Sequence, residues 1–139
     1  MNAQDTSQAQ VICRTVAEVL ASNPGIKVVI VFGSAASGKL RPDSDVDVAV
    51  LFENPLNVDT RLALQEKLED ALHREVDLVD LHGLGGEILH QILTKGLVVI
   101  KNEKHAFFRI LQRMIYNEED FMPQVRRTLR ARVERFAYG

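Results

Sequence analysis

A single cysteine, Cys13, stands in 139 residues, so no internal disulfide can form and nothing in the composition asks for an oxidising compartment. On an apolar helical stripe that residue reads as a small buried hydrophobe. No apolar run approaches the roughly 18 residues that a membrane-spanning helix needs. No basic, apolar leader opens the chain either, which makes the cytoplasm the expected compartment and gives no reason to expect a membrane. The four histidines, His73, His82, His90 and His105, lack zinc-site spacing and are read as helix-end or surface residues. Repeats, low-complexity tracts and linkers are missing as well. With 46% hydrophobic and 26% charged residues, what remains is an ordinary globular chain, expected to form one domain over residues 1–139.

Excess positive charge is also missing. The net charge is −2, and it is unevenly spread: residues 1–100 hold 8 Lys or Arg against 14 Asp or Glu, whereas residues 101–139 hold 9 against 5. Binding to a polyanion rests on phosphate neutralisation by Lys and Arg, so the acidic front part is not expected to bind nucleic acid directly. A cation bridging acidic groups to a phosphate ligand would reconcile that part with a nucleotide.

The pattern along the chain predicts alternating helices and strands. Residues 8–22 place Val11, Ile12, Thr15, Val16, Val19 and Leu20 at helical spacing, and the turn signal "NPG" follows. The run "IKVVIVF" (26–32) is too continuously β-branched for a surface strand and reads as a central one. A second strand is expected over "DVDVAVLFE" (45–53), then an amphipathic helix over 58–73 with Leu62, Leu64, Leu68, Ala71 and Leu72. The alternating "EVDLVDL" (75–81) makes a third strand. Gly83, Gly85 and Gly86 break the chain before a helix over 87–95 that Gly96 caps, and "LVVIK" is a fourth strand. From 103 onward two helices are expected, separated near Met122 and Pro123. This order is that of an α/β unit.

The chemistry concentrates in "GSAASGKLRPDSDVD", residues 33–47. Side chains alternate along a strand, so Asp45 and Asp47 share one face while Val46, Val48 and Val50 fill the other. Two carboxylates forced together in a partly desolvated place repel, unless one protonates or a cation sits between them. Hard oxygen ligands suit Mg²⁺, which keeps several waters and takes further ligands from substrate phosphates. Asp77 would add a third carboxylate if the third strand lies beside the second, with Asp80 on the opposite face. Upstream, Gly33 lets backbone approach a ligand closely and Ser34 would cap the amides that follow, a start that attracts phosphate. Asp43 and Ser44 read as turn residues leading into the strand.

Gly33-Ser34, ten residues, then Asp45-x-Asp47 resembles the signature of the nucleotidyltransferase superfamily that includes DNA polymerase beta. The short chain and the third aspartate in "VDLVDL" resemble its minimal nucleotidyltransferases, the MNT antitoxins paired with HEPN toxins. The resemblance covers about residues 10–102, leaving a helical tail over about 103–139. It implies the nucleotidyltransferase fold: a small mixed sheet of about four strands flanked by helices, with C-terminal helices. It implies that Gly33 and Ser34 grip the triphosphate of ATP. Asp45, Asp47 and Asp77 would bind two Mg²⁺ ions, with Asp77 helping to activate the attacking hydroxyl. It further implies transfer of AMP to a tyrosine hydroxyl of a partner HEPN ribonuclease, held in a hetero-oligomeric complex. Where many relatives carry an arginine shortly after the Gly-Ser, this chain has Ser37 followed by the expected Gly38, so phosphate grip falls to Lys39 or Arg41.

Two other functions fit parts of the pattern. One is a non-catalytic antitoxin whose acidic front part masks a basic toxin surface. The other is a small-molecule adenylyltransferase of the antibiotic-resistance kind, which needs an acceptor pocket that no residue pattern indicates. In the tail, Leu129, Val133 and Phe136 share a helical stripe beside Arg126, Arg127 and Arg130, a surface suited to an acidic partner.

Overall fold

The computed structural model describes the backbone of residues 3–117 and the side chains of residues 8–112. The expected break at Met122–Pro123, the second C-terminal helix and the basic stripe with Leu129, Val133 and Phe136 lie outside the described residues.

Nine elements follow in order: α1 (Ala3–Ala21), β1 (Ile26–Phe32), α2 (Ser34–Ser37), β2 (Val46–Phe52), α3 (Val58–Leu72), β3 (Val76–Asp80), α4 (Gly86–Lys95), β4 (Leu97–Lys101) and α5 (Lys104–Asn117). The four strands form one sheet in the order β3-β2-β1-β4. β1 pairs antiparallel with both β2 and β4, while β2 and β3 run parallel, so the sheet is mixed, as the resemblance implies. The expected strands are found in place: β1 and β4 have the expected bounds, and β2 and β3 are each one residue shorter at both ends. β2 begins at Val46, leaving Asp45 just outside the ladder, and a four-residue helix, α2, occupies what reads in sequence as a simple turn.

Alternation along the strands sorts the core into two layers. Val28, Ile30 and Phe32 of β1 and Ala49 and Leu51 of β2 face α4 and α5, meeting Ile92, Leu93 and Phe107. Val29 and Val31 of β1, with Val46, Val48 and Val50 of β2, face α1 and α3. Both central strands are therefore covered on both sides, which explains their continuous apolar character.

Helical stripes are narrower than their sequence periodicity suggests. In α1 the buried line is Ile12, Val16 and Leu20, whereas Val11 is exposed. In α3 it is Leu64 and Leu68, with Leu72 partly buried; Leu62 is 53% exposed and Ala71 faces solvent. Asn57 caps α3 by accepting a hydrogen bond from the Thr60 amide at 2.8 Å, and the helix ends at His73 in the left-handed conformation (φ 55°). Gly96 does follow α4 as its cap, but with an ordinary φ of −71°. Its smallness answers a different need: a Cβ there would collide with the Ile30 side chain and the Ile92 carbonyl.

Leu68→Ala is expected to lower stability by about 2–5 kcal/mol, because it empties a fully buried site. Leu62→Ala should stay within about 0.5 kcal/mol of the parent, as exposed positions usually do. Urea denaturation of the two variants checks this difference.

Candidate active site

The sheet brings Asp45, Asp47 and Asp77 to one end and one face. In the parallel ladder Asp47 stands directly opposite Asp77, with Val46 opposite Val76, and adjacent strands lie about 5 Å apart. Asp45, two residues before Asp47 and just outside the ladder, stands near enough for its charge to act on Asp47. Val46, Val48 and Val50 all enter the opposite core layer, as the alternation predicts. Asp45 and Asp77 are exposed, and Asp47 is half-buried. Asp80 falls on the other face and is engaged structurally, accepting hydrogen bonds from the amides of Leu56 (2.8 Å) and His82 (2.9 Å).

The Asp47 carboxyl is pushed above its ordinary value of 3.8, first by burial and then by the negative charges of Asp77 and Asp45. Among the described residues no lysine or arginine forms an ion pair with any of the three. Nor, among the described residues, do three His, Cys, Asp or Glu side chains come together closely enough to hold a metal ion between them. An all-oxygen, strongly anionic and open donor set matches the chemistry of Mg²⁺, which binds through one or two carboxylates and fills its octahedron with water and phosphate oxygens. The residues present fit that ion.

Gly33 meets Asp47 across the β1–β2 ladder, where Phe32 is the register partner of Asp47. Its backbone (φ 71°, ψ −147°) lies in a region essentially reserved for glycine. A Cβ at this position would overlap the Asp47 carboxylate. The glycine therefore serves two ends: it turns the chain from β1 into α2, and it makes room for the half-buried acid. Ser34 does not act as the cap expected of it. Gly33 occupies the cap position, its carbonyl accepting the amides of Ala36 and Ser37 at 3.1 Å, and no side chain caps the turn. The amides of Ser34 and Ala35 head the helix, where no intrahelical acceptor exists for them. Lys39 and Arg41 are exposed on the loop that runs on to Asp45.

That loop is organised as a turn: the Arg41 amide donates to the Ser44 Oγ (2.8 Å) and the Ser44 amide to the Arg41 carbonyl (3.0 Å), the part expected of Ser44. Sequence reasoning missed the residues across from it. Arg74 reaches from the α3–β3 connection to the loop's carbonyls, and Glu69 accepts the Val76 amide at 3.0 Å. The only sequence signal for Arg74 is position, since "HRE" (73–75) directly precedes the strand that carries Asp77, and Glu69 reads as one more charge on α3.

The other titratable groups stand apart. Cys13 is half-buried, and burial pushes its thiol up, away from the reactive thiolate. The His82 ring nitrogen Nε2 lies 2.8 Å from the Phe52 carbonyl. A groove of about 490 Å³ lined by Lys27, Phe52, His82 and Arg109 opens at the other end of the sheet. Phe52 pairs with Ile26, six residues along the strand from the Phe32–Asp47 pair, or roughly 20 Å. The groove's charges are mutually satisfied, Lys27 with Glu53 (3.0 Å) and Glu103 (3.6 Å), and Arg109 with Glu103 (3.8 Å).

Comparison with known proteins gives the chain a family. Residues 14–105 match the family model described as polymerase beta, nucleotidyltransferase. The protein adenylyltransferase MntA of Shewanella oneidensis is 37% identical over 73 residues, covering 52% of either chain. That of Thermococcus cleftensis is 36% identical over 75 residues, 54% of this chain and 76% of its own. The chain thus matches about half the length of the Shewanella relative. Among solved structures, a toxin–antitoxin with AMP-PNP aligns with a TM-score of 0.65 at 29% identity, over 72% of this chain and 82% of that one. A tri-AMPylated Shewanella oneidensis HEPN toxin in complex with MNT antitoxin aligns at 0.61 and 26% identity, over 75% and 82%.

Because the folded state binds the Asp47 proton more tightly than the unfolded chain, this group's contribution is complete below about pH 4 and is lost as pH rises through the elevated folded value. In metal-free buffer, Asp47→Asn is expected to raise Tm by a few degrees at neutral pH, with the gain vanishing toward pH 4. Thermal melts across that range check it. Gly33→Ala should be destabilising, and adding Asp47→Ala should recover the part due to overlap while leaving a backbone cost of about 1–3 kcal/mol; a double-mutant cycle measures the split.

Proposed function

The chain belongs to the polymerase beta nucleotidyltransferase family, and from that premise we propose that it is an antitoxin that transfers AMP from ATP to a tyrosine hydroxyl of a HEPN-type toxin held in complex with it, neutralising the toxin. The observation that carries the reading is the Asp47–Asp77 register pair beside Asp45, with the Gly33 turn packed against Asp47. The names of the Shewanella and Thermococcus relatives and the AMP-PNP and tri-AMPylated toxin complexes support it.

In this reading the unpartnered amides of Ser34 and Ala35 donate to the triphosphate, which Gly33 allows to approach the backbone. Asp45, Asp47 and Asp77 would hold Mg²⁺, two ions suiting three carboxylates. Held there, the metal would supply neutralisation of the phosphate charge and polarisation of the α-phosphorus. Lys39 and Arg41, exposed on the adjoining loop, supply cationic contacts in the absence of an arginine at Ser37. The tyrosine oxygen forms a bond to the α-phosphorus while the bond to the bridging oxygen of pyrophosphate breaks. Asp77, the more accessible member of the register pair, takes up the hydroxyl proton.

Intact-mass measurement of the partner after incubation with this protein, ATP and Mg²⁺ tests the proposal. One or more added AMP units are expected with the unsubstituted protein, and none with Asp45→Asn or Asp47→Asn or after chelation. Toxin neutralised equally well by the double variant, with no added mass, would point to masking by binding alone.

A further inference from the structure

Asp45 is a ligand candidate without a ladder to hold it. The first paired residue of β2 is Val46, so the strand's own hydrogen bonds begin one residue too late. Its backbone is instead fixed from the α3–β3 connection. The Ser44 carbonyl, on the peptide before Asp45, accepts from Arg74 Nη1 at 3.3 Å, and the Val46 amide, on the peptide after it, donates to the Glu75 carbonyl at 2.9 Å. Consecutive residues 74 and 75 thus grip the two peptides that flank Asp45. The next residue, Val76, is anchored by Glu69 and leads into Asp77.

Arg74 Nη1 also donates to the carbonyls of Arg41 (2.8 Å) and Pro42 (3.2 Å). One nitrogen with two hydrogens is shared among three acceptors, all within residues 41–44. Since Arg41 and Ser44 are themselves cross-bonded, the loop is held as one unit.

We infer that Arg74 is a positioning residue for the transfer reaction, setting Asp45 against Asp47 through the backbone of residues 41–44; the inference rests on the nucleotidyltransferase reading of this site. Arg74 meets neither substrate nor metal in this role. Hydrogen bonds at an exposed surface exchange with water at small net gain, so their loss is felt in geometry more than in folding.

The test compares the parent protein with Arg74→Met, which keeps the aliphatic stem and removes the donors, and with Arg74→Lys, which keeps a charge and three donors. Two readouts are taken beside Tm: kcat and KM for ATP in partner modification, and Mn²⁺ affinity in the presence of AMP-PNP, followed by electron paramagnetic resonance. Arg74→Met is expected to lower kcat and to weaken Mn²⁺ binding, each by about 10- to 100-fold, with KM for ATP nearly unchanged. Arg74→Lys should recover part of both. Parental kcat and Mn²⁺ affinity in Arg74→Met, or a fall in Tm alone, would overturn the assignment. Should that variant not fold, parental values in a folded Arg74→Gln would do the same. If the parent modifies no partner while Arg74→Met still weakens Mn²⁺ binding, the proposed transfer fails and the positioning role stands. If the parent transfers AMP and Arg74→Met does so equally, the positioning role fails and the transfer stands.

Discussion

Mutual repulsion among three carboxylates at one end of a small sheet is the constraint around which the molecule is organised. Burial and two neighbouring negative charges oppose the ionisation of Asp47, and among the described residues no cation pairs with any of the three. A fold that keeps such a cluster has to hold it against its own tendency to spread. The sheet does this by register, setting Asp47 against Asp77, and by sealing both faces of β1 and β2 under helices so that the strands cannot slide. In the proposed function a divalent cation would reverse the sign of the same interaction, so that the carboxylates would attract metal and triphosphate where they now repel one another.

The mixed topology is what makes that register available. An all-antiparallel meander would put β3 beside β2 running the opposite way, reversing the order of its residues past Asp47. The parallel crossover through α3 returns the chain to the same end of the sheet, so that β2 and β3 both begin there and both carry an aspartate at their second residue. That crossover also delivers Arg74 and Glu75 to the approach of β2, and Glu69 to the start of β3, a consequence of where α3 must end.

Much of this is written locally in the chain. Four strands were legible because β-branched runs such as "IKVVIVF" fit little else. The Asp45-x-Asp47 pair was legible because alternation along a strand is a fixed geometric rule. What escaped depends on long-range pairing. The partnership of Asp47 with Asp77 needed the condition that β3 lies beside β2, which periodicity does not state. Arg74 looks like any charged residue at the end of a helix, and its three acceptors lie 30 to 33 residues away. Leu62 matches the period of its helix yet faces solvent, because α3 rests on the sheet along a line only one residue wide. Ser34 has the chemistry of a cap, but the unusual backbone of Gly33 moves the start of the helix back by one position.

The contact between Gly33 and Asp47 has a genetic side. A side chain at position 33 and a carboxylate at position 47 compete for the same space, so the first substitution at 33 damages a protein that still depends on its acid. Once the acid is gone, the part of that penalty due to overlap goes with it, and only the backbone cost of the positive φ still holds the glycine in place. The two positions, 14 apart in the chain, are thereby bound into one inherited unit. A lineage is therefore expected to lose the acid before the glycine.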